Sequence, residues 1–351
     1  MKCPVPVRAA VERLPPYHKP IEGRAGMLRL DFNENTVGCA PKVRAALARM
    51  TREQVAMYPE YEAVHGRLAR FFRVAPEELI ITNGADDALR LVSDVFLERG
   101  RRALLIEPTF PMYRFYAGLA GARLLHLRYD NGMRFPLGAV CDALEREPRV
   151  FFLANPNNPT GTLVPPRELQ AVLKAARRTL VVVDEAYWEF SGVTVLDWIR
   201  HYPNLVVVRT FSKAAGLAGL RLGCLFANRD LTATLRKAQP PFAVNSAALV
   251  AAEAATQDRA YMRRYVREVQ AARQLLSAAL ARMGIPSFPS GANFVLADLG
   301  PCAPRVLRAL RRRGILLRDR QHHFGRVGFV RITLGTPVQM RRLLAALEEV
   351  W

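Results

Sequence analysis

Only six of the 51 lysine and arginine residues in this chain are lysines, and Lys213 stands where an amine could act as a nucleophile. It ends the segment Thr210-Phe211-Ser212-Lys213, which follows the apolar run 205–208. Arg221 comes eight residues later, in Gly216-Leu217-Ala218-Gly219-Leu220-Arg221. A lysine just past a buried strand and beside a second cation is disfavoured as the ammonium, which frees a nucleophilic amine. A Schiff base to an aldehyde cofactor requires such an amine. Serine-lysine pairs are also common on solvated surfaces, so the reading depends on partners elsewhere in the chain.

Three upstream segments supply such partners. Val181-Val182-Val183-Asp184-Glu185-Ala186-Tyr187 reads as a buried parallel strand running into an acidic pair. Open α/β sheets bind ligands at that carboxyl edge. Asp184 there could keep a pyridine nitrogen protonated, and Tyr187 could donate to a ring phenolate; an ordinary strand end with Asp184 capping a helix is the plainer alternative. Asn155-Pro156-Asn157-Asn158-Pro159-Thr160-Gly161 follows the apolar run 150–154, and its prolines and glycine fix a turn at another strand end. Thr82-Asn83-Gly84-Ala85-Asp86-Asp87-Ala88 opens a helix after the strand-like 79–81. Such a start exposes backbone N–H groups that bind phosphate, while Asp86 and Asp87 would also suit the helix dipole.

Asn158, Asp184, Tyr187, Lys213 and Arg221, at these spacings, resemble the fold-type I pyridoxal-phosphate aminotransferases. The resemblance runs from about Tyr17 to the final helix and is greatest to the histidinol-phosphate aminotransferase family. Its narrower signs are Leu30-Asp31-Phe32-Asn33-Glu34-Asn35, Tyr58-Pro59-Glu60, Pro108-Thr109-Phe110-Pro111-Met112-Tyr113, Arg318-Asp319 and Arg331-Ile332-Thr333-Leu334-Gly335-Thr336. Two departures stand out. Thr36-Val37 occupies the place where the family usually has a proline, and Phe110 stands where relatives often carry tyrosine.

The resemblance implies pyridoxal 5'-phosphate as cofactor, with Lys213 as its covalent anchor and as the base that moves the substrate α-proton. It implies Asp184 at the pyridinium nitrogen and Asn158 with Tyr187 at the ring oxygen. Ala85, Asp86, Thr210, Ser212 and Arg221 would hold the phosphate, joined by Tyr58 from the neighbouring subunit of a homodimer. An aromatic side chain, Phe110 or Tyr113, would stack on the ring. Arg331 would grip the α-carboxylate, while Tyr17 and Arg318 would face the substrate phosphate; Asn158 also borders the substrate. Arginine forks suit phosphate and carboxylate alike, as an enzyme using a phosphate monoester and glutamate in turn requires.

The elements that must position these groups form an α/β fold. Strand-like runs at 79–81, 103–106, 150–154, 180–184, 205–208 and 222–227 alternate with helical stretches, which argues a mostly parallel sheet covered on both faces. Pro240-Pro241 marks a break, and one long helix-like stretch spans about 246–283. Strands at 293–297 and 329–334 and helices at 304–313 and 338–350 then read as a smaller α+β unit. The expected organisation is an N-terminal arm and part of the small domain over 1–50, a large cofactor-binding domain over 51–240, and a linking helix with the C-terminal small domain over 241–351.

Composition fits an enzyme with a sizeable core: half of the 351 residues are hydrophobic. No apolar run approaches the roughly 18 residues of a membrane span, and no signal peptide is recognisable, so a cytoplasmic protein is expected. The five cysteines are scattered, and His322-His323 lacks acidic or cysteine company beyond Asp319, so neither disulfides nor a metal site are expected. The net charge of +20 could favour anionic ligands, or nucleic acid without specificity. The arginines are dispersed and no nucleic-acid-binding signature accompanies them, so a solvated basic surface is expected. Neither Gly-x-Gly-x-x-Gly nor a Walker A segment is present.

The leading expectation is transamination between L-histidinol phosphate and 2-oxoglutarate. Aromatic amino acid transamination is the alternative, followed by threonine-phosphate decarboxylation on the same cofactor residues. A catalytically silent relative or a nucleic-acid-binding regulator would reuse the fold without the chemistry.

Overall fold

The computed structural model describes residues 5–12, 14 and 23–351. Tyr17 and Cys3 lie outside the described residues. Two sheets organise the chain. The larger has seven strands: β2 (Leu79–Thr82), β3 (Arg102–Glu107), β4 (Arg123–Arg128), β5 (Val150–Ala154), β6 (Leu180–Asp184), β7 (Leu205–Thr210) and β8 (Gly223–Phe226). Their order is β2-β8-β7-β6-β5-β3-β4. Neighbours from β7 to β4 pair in parallel, whereas β8 is antiparallel to both β7 and β2.

The apolar runs are continuous because these strands are buried on both faces. Phe151, Leu153, Val181, Val183, Leu205 and Val207 pack into one core, whereas Val150, Phe152, Leu180, Val182, Val206 and Val208 pack into another. A side-chain period of two thus divides each run between two helical layers. Helix Gly84–Phe96 covers the second face together with Pro111–Leu119, and Pro166–Ala175 covers the first.

The smaller sheet joins both ends of the described chain. Strand β1 (Leu28–Leu30) pairs in parallel with β10 (Ile315–Asp319), which is followed by antiparallel β11 (Phe329–Thr333) and β9 (Phe294–Asp298). A separate core unites this sheet with helices Arg259–Arg282, Ala303–Arg312 and Pro337–Glu348.

One expectation needs correction. The stretch 246–283 is two helices, Ser246–Thr256 and Arg259–Arg282, with Asp258 between them. The Asp258 carboxylate accepts the Tyr261 N–H at 3.1 Å and caps the second helix. The break redirects the chain from one core to the other. Ala248, Leu249, Ala251 and Ala252 belong to the large-sheet core, whereas Tyr265, Val269, Ala272, Leu276 and Ala279 belong to the small-sheet core.

Candidate active site

The parallel strands bring the three upstream segments and Lys213 to one sheet edge. The Asn155–Gly161 turn follows β5, Asp184 closes β6, and Thr210–Lys213 leaves β7. Strand β2 delivers the start of helix Gly84–Phe96 to the same edge. Because β8 runs the other way, its first residue, Gly223, pairs with both Thr82 and Thr210. The turn before β8 therefore returns Arg221 to the group, which explains the spacing between Lys213 and Arg221.

Close backbone approach shapes this corner. A Cβ on Gly223 would lie 2.5 Å from the Gly84 carbonyl carbon, and one on Gly84 would lie 2.6 Å from the Arg221 guanidinium. Gly84 also has φ +78°, which favours glycine. Asn83 provides no side-chain cap to the helix it precedes, so its first N–H groups are left for another acceptor. The Thr210 and Ser212 hydroxyls lie 2.9 Å apart, and the Arg221 guanidinium is 3.1 Å from the Asp86 carboxylate. Asp86 thus turns its carboxylate to Arg221, leaving its backbone N–H as the group suited to an anion.

Lys213 Nζ donates to the Phe32 carbonyl oxygen at 3.2 Å and lies 5.7 Å from the centre of the Tyr187 ring. Burial lowers its pKa to about 8, reinforced by Arg331 and more weakly by Arg221, against the pull of Glu34 and Asp86. The sequence pointed to Arg221 as the neighbouring cation; the structure gives Arg331 the larger effect. Asp184 is buried, which raises its pKa to about 6. Its carboxylate accepts the Tyr113 hydroxyl at 2.7 Å and the Ala186 N–H at 3.0 Å, and both bonds favour ionisation.

A polar chain connects the remaining groups. Arg331 donates to Asn158 Oδ1 and to the Asp31 carbonyl oxygen, each at 2.6 Å. The Tyr187 hydroxyl accepts from Asn33 at 2.9 Å and lies 3.4 Å from the Asn158 amide nitrogen, which leaves its own O–H able to donate. Burial raises the Tyr187 pKa, so this hydroxyl stays protonated. The Asp31–Asn33 segment therefore contributes more than a family signature. Its carbonyls meet Arg331 and Lys213, its Asn33 side chain meets Tyr187, and Thr333 and Asn293 hold Asn33 in place. Such a tertiary role has no local sequence signal.

A cleft of about 850 Å³ is lined by Thr109, Phe110, Arg318, Asp319, His322 and His323 among others, but not by Lys213, Asp184, Asn158, Tyr187 or Arg331. Phe32 joins the cleft to the lysine, because its carbonyl meets Lys213 while its ring lies 5.0 Å from the Arg318 guanidinium. His322-His323, an isolated pair in the sequence, lines this cleft. Burial and the surrounding arginines keep His323 neutral. Among the described residues, no three His, Cys, Asp or Glu side chains gather as metal ligands.

Two of the expected residues stand apart from this group, the second as its expected role from a neighbouring subunit requires. Tyr113 is fully buried, with its ring stacked on Phe152, so the aromatic available to face a ligand is Phe110. Tyr58 is 78% exposed and stacks on Phe242, on an apolar ledge outside this group of its own chain. The group as a whole fits pyridoxal phosphate. It combines a desolvated amine, a buried carboxylate, a tyrosine-asparagine pair and a glycine-walled anion corner.

Comparison with known proteins identifies the family and the fold. The family model for aminotransferase class I and II matches residues 25–347. The histidinol-phosphate aminotransferase of Symbiobacterium thermophilum is 40% identical, over 97% of this chain and 98% of that protein. The crystal structure of histidinol-phosphate aminotransferase from Sinorhizobium meliloti, in complex with pyridoxal-5'-phosphate, superposes with a TM-score of 0.86 at 28% identity, covering 98% of this chain and 97% of that one. L-threonine-O-3-phosphate decarboxylase from Porphyromonas gingivalis also superposes, with a TM-score of 0.81 at 26% identity, covering 92% of this chain and 99% of that one. The architecture alone therefore does not select the reaction, but the extent of the family match and of the sequence identity settles the kinship: the chain belongs to the class I and II aminotransferase family.

Proposed function

We propose that this enzyme transfers the amino group of L-histidinol phosphate to 2-oxoglutarate, giving imidazole acetol phosphate and L-glutamate, as a step of histidine biosynthesis. The cofactor is pyridoxal phosphate, whose ring, when bound, withdraws the electron pair left by the departing substrate α-proton.

The residues then divide the work. Lys213, with its pKa lowered to about 8, is neutral in a useful fraction near neutral pH and takes the α-proton. Asp184, as a carboxylate, would hold the proton on the ring nitrogen. Tyr187 and Asn158 would bind the ring oxygen, and Phe110 would supply the aromatic contact to the ring. The backbone at Ala85 and Asp86, the hydroxyls of Thr210 and Ser212, and the Arg221 guanidinium would hold the cofactor phosphate.

One observation carries the choice of substrate. Arg318 on β10 and Arg331 on β11 are directly opposed in antiparallel register, so both guanidiniums project from one face of the small sheet. Like charges placed opposite one another are destabilising, and an anion between them relieves the repulsion. A phosphate ester and a dicarboxylate each satisfy that pair, and the relatives' names point to the same substrate. Arg318→Gln tests it: KM for histidinol phosphate should rise about 10- to 100-fold, as for a lost charge-assisted contact, with a much smaller rise for phenylalanine. Equal effects on both would remove Arg318 from phosphate recognition. The apolar members of the cleft wall, Phe110, Phe115 and Leu317, favour aromatic amino acids as the second reading.

The domain division proposed is 1–50, 51–240 and 241–351, with the first helix of the last segment in the large-sheet core, against helices Pro41–Ala48 and Glu62–Phe72. We propose a homodimer as the working form, formed through the ledge of Val55, Met57, Tyr58 and Phe242, so that Tyr58 reaches the partner's cofactor phosphate. Phosphorylated substrates do not leave the cell unaided, which supports a cytoplasmic location.

A further inference from the structure

We propose that Tyr113 is a positioning residue that keeps Asp184 ionised and aimed at the cofactor ring nitrogen. The inference rests on the placement of Asp184 against that nitrogen. Tyr113 lies in the first turn of helix Pro111–Leu119, three residues after Phe110, with its ring packed parallel to Phe152 at 5.3 Å and an interplanar angle of 6°. That stack rests on β5, whose neighbour β6 ends in Asp184. The ring geometry therefore fixes where the hydroxyl points.

Asp184 has no cationic partner among the described residues. Its charge is supported by two donors, the Tyr113 hydroxyl on Oδ2 and the Ala186 N–H on Oδ1. A carboxylate so enclosed must be stabilised by hydrogen bonds to its charged form or take up a proton. Burial and the nearby Asp86 and Glu185 carboxylates push it toward the acid. Tyr113 opposes them, and it remains a donor because its own burial and Asp184 raise its pKa well above the ordinary value. Tyr187, the remaining titratable neighbour, is uncharged and bonded to Asn33. Without the Tyr113 hydroxyl, Asp184 Oδ2 loses its only side-chain donor among the described residues. The acid form then persists to higher pH, and a neutral acid no longer balances a protonated ring nitrogen.

The test is the dissociation constant of pyridoxal phosphate from reconstituted enzyme between pH 5 and 9. It compares wild type, Tyr113→Phe, Asp184→Asn and the double variant. Phenylalanine keeps the ring and its stack, and thermal unfolding of each apo-protein checks the fold. In wild type, affinity should fall on the acid side with a midpoint near 6, following Asp184. In Tyr113→Phe the midpoint should move up by about one unit, with affinity lost about tenfold at pH 5, about threefold at pH 6.5 and almost not at all at pH 9, as expected for one hydrogen bond to a charged group. Adding Tyr113→Phe to Asp184→Asn should change the constant by less than about twofold, because the group it acts through is gone. A loss of equal size at every pH, or an unmoved midpoint, would overturn the inference. If Asp184→Asn itself left both affinity and pH dependence unaltered, the placement of Asp184 at the ring nitrogen would fail instead.

Discussion

An amine enclosed beside Arg331 is costly to protonate, and that cost is measurable in the cofactor-free protein. Folded Lys213 has a pKa of about 8, against 10.5 for an unhindered lysine. Below pH 8 it is an ammonium in both the folded and unfolded states, and the full cost of burying the charge is present. Between about 8 and 10.5 the unfolded chain binds more protons, so this group makes stability rise with pH. Lys213→Met should therefore abolish turnover yet stabilise the apo-protein by ~2–3 kcal/mol at pH 7, a gain that fades by about pH 10.5. Denaturant unfolding at a series of pH values checks it; an equal effect at pH 7 and 10.5 would contradict the desolvated amine. The lysine, Asp184, Tyr187 and Asn158 were legible in the sequence because each ends a strand or begins a turn at a recognisable motif. The Tyr113 bond to Asp184 and the Asn33 bond to Tyr187 were not, since their partners lie 71 and 154 residues away.

Strand β7 also carries Arg209, whose guanidinium is 2.8 Å from the Glu185 carboxylate with both side chains under 5% exposed. Thr194 accepts from the same guanidinium, and the Trp188 ring lies 3.8 Å from it. This pair ties β7 to the segment following Asp184, just behind the site. Removing one partner leaves the other charge buried, so Arg209→Met should destabilise the fold by about 3–5 kcal/mol, read by chemical denaturation. A loss below about 1 kcal/mol would mean that water reaches Glu185. The double-sided burial that makes this pair consequential is also what made the central strands easy to read. The half-exposed edge strand β4 (Arg-Leu-Leu-His-Leu-Arg), the three-residue β1 and the mixed run of β10 lack that continuous apolar signal and carry no strand pattern in the sequence. The helix break at Asp258 was hidden for a different reason. Alanine-rich sequence continues the helical pattern on both sides, and only the change of core reveals the turn.

At the scale of the molecule, Val55, Met57, Tyr58 and Phe242 form an apolar ledge, each between 50% and 78% exposed. In a protein of net charge +20, such a patch is best covered by another protein surface. Sedimentation velocity should show a dimer, and Phe242→Asp should shift it toward monomer while weakening cofactor binding through loss of the partner's Tyr58. A wild-type monomer with full turnover would contradict that assembly. Among the described residues, no helix is long and apolar enough to cross a membrane. The most direct test of the central claim is glutamate formation from 2-oxoglutarate, comparing kcat/KM for histidinol phosphate and phenylalanine. The opposed arginines of the small sheet predict a preference for the phosphate ester of at least about a hundredfold, the size of one or two charge-assisted contacts. Comparable or reversed values would contradict it and make this an aromatic aminotransferase on the same scaffold.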